Sequence, residues 1–172
     1  MLAMPEPDPR VLARLEAIVA GLRDRAGAAN VIAAPLRLKP YETDGFTAYK
    51  RVPLAVVLPE TTAQVAACLR YCHEQGVRVV PRAAGTSLSG GALPLEDAVV
   101  IGVARMNRIL EVSYEDRLAR VEAGVTNIGI TKAVEGEGFF YAPDPSSQLA
   151  CMIAGNVAMN SGGAHCLKYG VT

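Results

Sequence analysis

Apolar residues near the start of the chain recur at helical spacing, which predicts an amphipathic helix. Asp8-Pro9 marks its start, as an N-cap followed by a first-turn proline, and Gly27 marks its end. The apolar stripe consists of Val11, Leu12, Leu15, Ile18, Val19 and Leu22. From Ala28 to Val52 the apolar residues no longer recur at helical spacing. We therefore expect residues 1–50 to form a helix and an irregular arm that precede a domain at 51–172.

The next stretch has the pattern of strand, helix, strand. Thr61 and Gln64 have the spacing of a capping box, so we expect a helix from there to about Gln75, with Gly76 as its stop. Its inward positions are Val65, Cys68, Leu69 and Cys72. The predicted buried strands span residues 53–59 and 77–80, and a third strand is predicted at 98–103. This order implies a parallel pair of strands with a right-handed crossover.

The second half of the chain has a different pattern. The predicted elements are a hairpin of strands 109–114 and 118–123, a helix from Thr126 or Asn127 to Gly136 or Gly138, a short strand 139–141, and a rigid loop 143–147. An alanine-rich apolar segment, residues 148–160, follows. Because the pattern changes near residue 105, we expect two parts, 51–105 and 106–172, of α/β (α+β) class.

A loop rich in small residues, 81–92, follows the second predicted strand. Without bulky side chains its backbone N–H groups are open, and such a nest suits an anion, most often a diphosphate. Arg82 adds a cation, and Thr86 and Ser87 add hydroxyls. The loop lies where open α/β sheets bind ligands, at the carboxyl end of a strand. A plain surface turn is the alternative interpretation.

Two asparagines stand out in the apolar segment. Asn156 and Asn160 are one helical turn apart, where other polar side chains are scarce. Their amides must meet either backbone or a ligand that has both donors and acceptors, such as a flavin or adenine edge. Helix capping is the alternative.

Several function classes lack support in the sequence. No lysine follows the glycine loop as a Walker motif requires, and Gly136-Glu137-Gly138 lacks the third glycine of a Rossmann fingerprint. No serine has the flanks of a nucleophile elbow. The 17 basic and 17 acidic residues cancel, which argues against nucleic acid. The possible metal ligands are Cys68, Cys72, Cys151, His165 and Cys166, but the first two fall on an apolar stripe, and we expect no metal.

Composition also predicts the compartment. The N-terminus lacks the pattern of a secretory signal, and no apolar run is long enough to span a bilayer. Cys68 and Cys72 lie one helical turn apart, which is poor disulfide geometry. We therefore expect reduced thiols and a cytoplasmic protein.

The glycine loop, the Pro143-Asp144-Pro145-Ser146-Ser147 loop and the run from Gly155 to Gly163 together resemble the FAD-linked oxidase family, which includes glycolate oxidase subunits and D-lactate dehydrogenases. The resemblance extends in register from about Tyr41 to Thr172. It implies part of a PCMH-type FAD-binding domain: a βαβ subdomain and the start of a second α+β subdomain, with FAD between them. No histidine stands where some relatives attach FAD covalently, so non-covalent binding is implied.

The resemblance assigns the cofactor contacts but no catalytic residue. The implied FAD-binding residues are Pro81, Arg82, Ala83, Ala84, Gly85, Thr86, Ser87, Gly91, Pro143, Asp144, Ser146, Ser147, Gly155, Asn156, Asn160, Gly162, Gly163 and Tyr169. In such enzymes a 2-hydroxy acid gives a hydride to flavin N5 while a base takes the hydroxyl proton. The implied partners are other glycolate oxidase subunits, including an iron-sulfur subunit. A position of the protein at the periphery of the inner membrane, through these subunits, is the alternative to a purely cytoplasmic one.

Three residues depart from the family pattern. Ala83 and Ala154 stand where glycine is usual, and Met152 stands where threonine is usual. A left-handed backbone at Ala83 would cost about 1–2 kcal/mol. The alternative hypothesis is therefore a truncated, non-catalytic remnant that folds but does not bind FAD tightly. In either case we expect exposed apolar surface and self-association.

Overall fold

The computed structural model describes residues 4–172 and divides into two units. The first comprises residues 4–82 and 87–102, and the second comprises residues 83–86 and 103–172. Helices of the first unit are α1 (Pro9–Leu12), α2 (Leu15–Ala26), α3 (Pro35–Leu38) and α4 (Thr62–Glu74). Its strands are β1 (Val31–Ile32), β2 (Ala55–Val57), β3 (Arg78–Arg82) and β4 (Ala98–Gly102). The second unit contains β5 (Ile109–Ser113), β6 (Leu118–Val121), α5 (Asn127–Val134), α6 (Ile153–Met159) and α7 (Cys166–Tyr169).

The sheet of the first unit has the order β1-β2-β4-β3. Strand β4 is buried along its whole length and pairs in parallel with both β2 and β3. The expected direct pairing of β2 with β3 was therefore wrong, because β4 lies between these two strands and pairs with both of them. The prediction that 77–80 forms a buried strand was also wrong for most of β3, which lies at the sheet edge. An edge strand tolerates Pro81, which has no N–H to donate.

The N-terminal helix is broken, and this corrects the single helix expected from the spacing. Asp8 caps α1 through a carboxylate that accepts the Arg10 N–H, as predicted. The break at Arg14 coincides with a tertiary anchor, since its guanidinium donates to the Gln75 carbonyl at 2.9 Å. Helix α2 then packs against α4, where the Tyr71 hydroxyl donates to the Ala17 carbonyl at 3.2 Å.

The buried face of α4 is rotated relative to the expected one. Thr61 caps the helix as predicted, through its hydroxyl and the Gln64 N–H. Leu69 is 45% exposed, whereas Tyr71 is buried in its place. Cys68 and Cys72 are fully buried, and burial raises the pKa of the Cys72 thiol to about 11. Both thiols therefore behave as small apolar groups.

The predicted irregular arm contains short elements that the sequence did not reveal. Besides α3, it holds β1, which pairs antiparallel with β2. Two short 3₁₀ turns flank them, at Ala28–Asn30 and Lys39–Tyr41. A strand of only two residues carries too few positions for alternation to be read.

The longer segment of the second unit, residues 103–172, contains the predicted hairpin of β5 and β6, joined through Arg117 at φ +56°. Thr126 caps α5 through the Gly129 N–H, and the chain leaves the following 3₁₀ turn at Gly138. Residues 139–141 form no strand, which corrects that prediction. The Tyr141 N–H instead donates to the Thr131 hydroxyl at 3.2 Å, so this segment lies along α5.

Within residues 4–172, no helix combines the length and hydropathy that a bilayer crossing requires.

Candidate functional site

The small-residue loop exposes a run of unpaired backbone donors. Within residues 4–172, the N–H groups of Ala83, Ala84, Gly85 and Thr86 donate to no other protein atom. All four residues are half-buried, so these donors are partly withdrawn from bulk water. Gly85 adopts φ +73°, which turns the chain within the run. Consecutive unpaired N–H groups of this kind bind anionic oxygens.

Arg82 lies at the end of β3, immediately before this run. Its Nη1 donates to the carbonyls of Thr43, at 2.7 Å, and Ala92, at 3.3 Å. Burial lowers the pKa of the guanidinium, and nearby Tyr41 and Asp44 oppose that shift. Arginine nonetheless keeps its charge at neutral pH. Arg82 therefore fixes the start of the loop within the first unit, and its predicted contact with the diphosphate stays a prediction.

Ala83 is not strained. Among the described residues, only Arg117 and Asn160 are non-glycine residues with positive φ, so the condition for a left-handed penalty at Ala83 is not met. The Ala83 methyl faces Gly155 of α6, where an added Cβ would lie 3.2 Å from it. The alanine at 83 is thus accommodated by the glycine at 155. The structure brings these two predicted cofactor segments together.

A buried pair of amides links three segments of the second unit. Asn127 and Asn156 are 2% and 3% exposed, and Asn156 Nδ2 donates to Asn127 Oδ1. Asn127 Nδ2 donates in turn to the Pro143 carbonyl at 3.1 Å, and Asn156 Nδ2 contacts Cys151 Sγ at 3.5 Å. The pair therefore fixes the Pro143 loop relative to α5 and α6. The amide nitrogen of Asn156 thus donates to Asn127, and the predicted contact of Asn156 with the cofactor stays a prediction.

The Pro143 loop packs against Gly163, one of the predicted glycines. A Cβ at Gly163 would overlap the Asp144 carbonyl, so only glycine fits there. The Ser147 carbonyl accepts the N–H groups of Ala150 and Cys151, both at 2.8 Å, which closes the turn after the loop. The side-chain hydroxyls of Ser146 and Ser147 have no protein partner within the described part of the chain.

Asp144 and His165 make a two-point contact. Asp144 Oδ1 accepts the His165 backbone N–H at 3.1 Å, and Oδ2 lies 2.7 Å from His165 Nδ1. The imidazole belongs to a cluster of three rings with Phe140 and Tyr169, whose centroids are 6.0–6.4 Å apart. Lys168 Nζ lies 4.9 Å from the Tyr169 ring centroid.

Other predicted site residues make different contacts. Pro81 and Gly91 are exposed and belong to the first unit. Ser87, in the same unit, accepts the Ser89 N–H at 3.2 Å. Asn160 is exposed beyond the end of α6, in a left-handed conformation at φ +49°, which agrees with the helix-capping alternative. Gly162 packs against Val171 and Cys166.

Sequence reasoning missed two residues that organise this region. Asn127 was considered only as a helix cap, although a buried amide needs partners for both its donor and its acceptor. His165 was considered only as a metal ligand, and its spacing from Asp144 gave no signal. Within the described residues, no three His, Cys, Asp or Glu side chains meet as a metal site.

Comparison with known proteins agrees with these features. Residues 53–172 match the model of the FAD binding domain. The glycolate oxidase subunit GlcD of Escherichia coli is 50% identical over 155 residues, which cover 90% of this chain and 31% of GlcD. GlcD of Bacillus subtilis is 43% identical, over 77% of this chain and 28% of the relative. The bovine mitochondrial D-2-hydroxyglutarate dehydrogenase is 33% identical, over 92% of this chain and 28% of the dehydrogenase.

Solved structures show the same fold. An alkyldihydroxyacetonephosphate synthase superimposes with a TM-score of 0.75 at 21% identity, covering 99% of this chain and 32% of the synthase. p-Cresol methylhydroxylase superimposes with a TM-score of 0.75 at 22% identity, covering 87% of this chain and 30% of that enzyme.

The chain spans about a third of the length of the curated relatives it matches. The donors at 83–86 fit the diphosphate of FAD, because a phosphate needs several N–H groups free of other partners. The α/β class of PCMH type and the expected cofactor, FAD, are confirmed. This chain belongs to the FAD binding domain family.

Proposed function

We propose that this chain is the FAD-binding portion of a glycolate oxidase-type flavoprotein that oxidises a 2-hydroxy acid, either glycolate or D-lactate. The observation that carries the proposal is the run of four unpaired N–H groups from Ala83 to Thr86. The names of the relatives, glycolate oxidase subunit and D-2-hydroxyglutarate dehydrogenase, support the substrate class.

In this proposal the residues of the chain bind and orient the cofactor. The N–H groups at 83–86 hold the diphosphate, and the Thr86 hydroxyl adds a donor beside them. Residues Pro143 to Ser147 and Gly155 to Gly163 line the flavin, with the Ser146 and Ser147 hydroxyls available as donors. When bound, FAD supplies the acceptor for the hydride of the 2-hydroxy acid.

We also propose that the chain works with other subunits. The relatives named as oxidase subunits support such an assembly, and we expect it to include an iron-sulfur subunit. A cytoplasmic location, peripheral to the inner membrane through these partners, belongs to the same proposal. Leu149 and Leu167 are 80% and 102% exposed, which supports self-association of the isolated chain. Sedimentation velocity showing only monomer at all concentrations would contradict the last point.

A second candidate function is a non-catalytic remnant that folds without binding FAD tightly. The contacts of Arg82 favour it, because Nη1 is already committed to two carbonyls. Met152 also offers no side-chain hydrogen bond at the start of α6. The unpaired donors at 83–86 favour the first proposal, since a remnant has no need to keep them open.

The test is an FAD titration of the 172-residue chain by calorimetry, with two matched variants. Gly85 and Gly90 have similar positive φ angles, +73° and +78°. Alanine at either position costs about 1–2 kcal/mol of strain. We expect G85A to weaken FAD binding about tenfold or more, because relief of the strain displaces the donors. G90A serves as the control. Equal affinities for FAD in both variants would contradict the proposal, and no binding by the parent chain would favour the remnant.

A further inference from the structure

The contact between Asp144 and His165 determines which imidazole nitrogen carries the hydrogen. A carboxylate oxygen only accepts, so Nδ1 must donate across the 2.7 Å that separates it from Oδ2. In a neutral imidazole Nε2 then has no hydrogen and is an acceptor. The His165 side chain is 56% exposed, so this acceptor is accessible.

Asp144 is itself held from both sides. Its side chain is 15% exposed, and Gly163 packs against its carbonyl so closely that no Cβ fits. The carbonyl of the preceding Pro143 is fixed by the buried amide of Asn127. The carboxylate that orients His165 therefore sits on a restrained loop. Such restraint sets the direction of the imidazole in advance of any ligand.

Two aromatic rings, those of Phe140 and Tyr169, lie beside His165. Phe140 and Tyr169 are 54% and 46% exposed, although exposed aromatic rings are unfavourable in water without a partner. Their centroids lie 6.4 Å and 6.3 Å from that of His165. Rings beside one fixed acceptor suit a planar ligand that carries an N–H donor.

We propose that His165 binds the flavin ring of FAD, with Nε2 accepting the ring N–H (N3–H in oxidised flavin) and with Phe140 and Tyr169 beside the ring plane. Asp144 is then a positioning residue that acts through His165. This inference rests on the proposed function, and it adds His165 and Phe140 to the binding residues.

The test separates the flavin from the rest of the cofactor. FAD, ADP, lumiflavin and 3-methyllumiflavin are titrated against the parent chain, H165N, H165Q and D144N. An asparagine at 165 can still donate to Asp144 but is too short to place its acceptor at the position of Nε2, whereas a glutamine can place an acceptor near that position. The matched control is H73N, which alters the other histidine of the chain, an exposed residue of the first unit.

We expect H165N to bind FAD about tenfold more weakly and ADP as the parent chain does. H165Q should recover part of the loss, and D144N should fall between the parent chain and H165N. The parent chain should prefer lumiflavin to 3-methyllumiflavin, and H165N should lose that preference. Unchanged FAD affinity in H165N, or an equal loss of ADP, would overturn the role of His165. A parent chain that binds ADP but not lumiflavin would also overturn it, whereas failure to bind either FAD or ADP would overturn the proposed function as well.

Discussion

Replacing Asn127 by alanine tests the buried link between the Pro143 loop and α6. The change removes the donor to the Pro143 carbonyl and the acceptor for Asn156 Nδ2. At 2–3% exposure neither amide can turn to water instead. An orphaned buried group costs about 1–3 kcal/mol, and Asn156 keeps only its contact with Cys151 Sγ at 3.5 Å. We therefore expect a loss of about 3 kcal/mol in the free energy of unfolding.

A loss of that size is a large share of the roughly 5–15 kcal/mol that stabilises a domain. Urea unfolding followed by circular dichroism measures it, with N107A as the control because Asn107 is an exposed asparagine of the same unit. We expect N107A to stay within about 0.5 kcal/mol of the parent chain.

The double variant N127A/N156A completes the test. If the two amides share a hydrogen bond, removing the second costs less once the first is gone, since no donor is then stranded. Strictly additive losses, or a loss below about 1 kcal/mol in N127A, would refute the account of this pair.

Three further predictions concern single residues. N160G should raise the free energy of unfolding by up to about 1 kcal/mol, because glycine adopts the φ of +49° at this position more easily than asparagine. The same change should weaken FAD binding. An unchanged affinity for FAD would mean that Asn160 only caps the helix. Hydrogen bonds donated by Arg10 lower the pKa of Asp8 to about 2. The stabilising effect of the Asp8 carboxylate is therefore present above pH 4 and is lost as the pH falls towards 2. D8N keeps the cap oxygen but does not titrate, and a Tm with the same pH dependence as the parent chain would contradict this assignment. At pH 8 iodoacetamide should alkylate the partly exposed Cys166 well before Cys72, whose thiol is buried with a pKa of about 11, and mass spectrometry showing the reverse order would be a failure.

The sequence predicted the elements that depend on local chemistry. The caps at Asp8, Thr61 and Thr126 are present because a side-chain oxygen and the N–H two or three residues later are enough to form them. The hairpin of β5 and β6 followed from two apolar runs and a polar turn. The motif-based resemblance to FAD-linked oxidases was confirmed by the family match.

What failed depended on distant contacts. The apolar content of the strands did not predict that β4 lies between β2 and β3, because the edge and central positions in a sheet are decided by which strands pair. Leucine is a typical core residue, so Leu69 was predicted to face inward. Tyr71 is buried instead, and its hydroxyl donates to the Ala17 carbonyl. Such partners are set by tertiary packing, which local periodicity does not encode.

The contact of Asp144 with His165 belongs to the same class. The two residues are 21 positions apart, and nothing in their spacing indicates that they meet. By contrast, the open donors at 83–86 were predictable, since small side chains and glycine leave the backbone accessible.

Donation by the N–H groups at 83–86 to the FAD diphosphate can be observed in the amide proton spectrum of the ¹⁵N-labelled chain, whose 18.1 kDa suits this method, during titration with ADP and with FAD. We expect the amide protons of Ala83, Ala84, Gly85 and Thr86 to shift downfield with both ligands, as N–H groups do when they donate to phosphate oxygens. If FAD binds and these four resonances do not move, the diphosphate is not held by these donors.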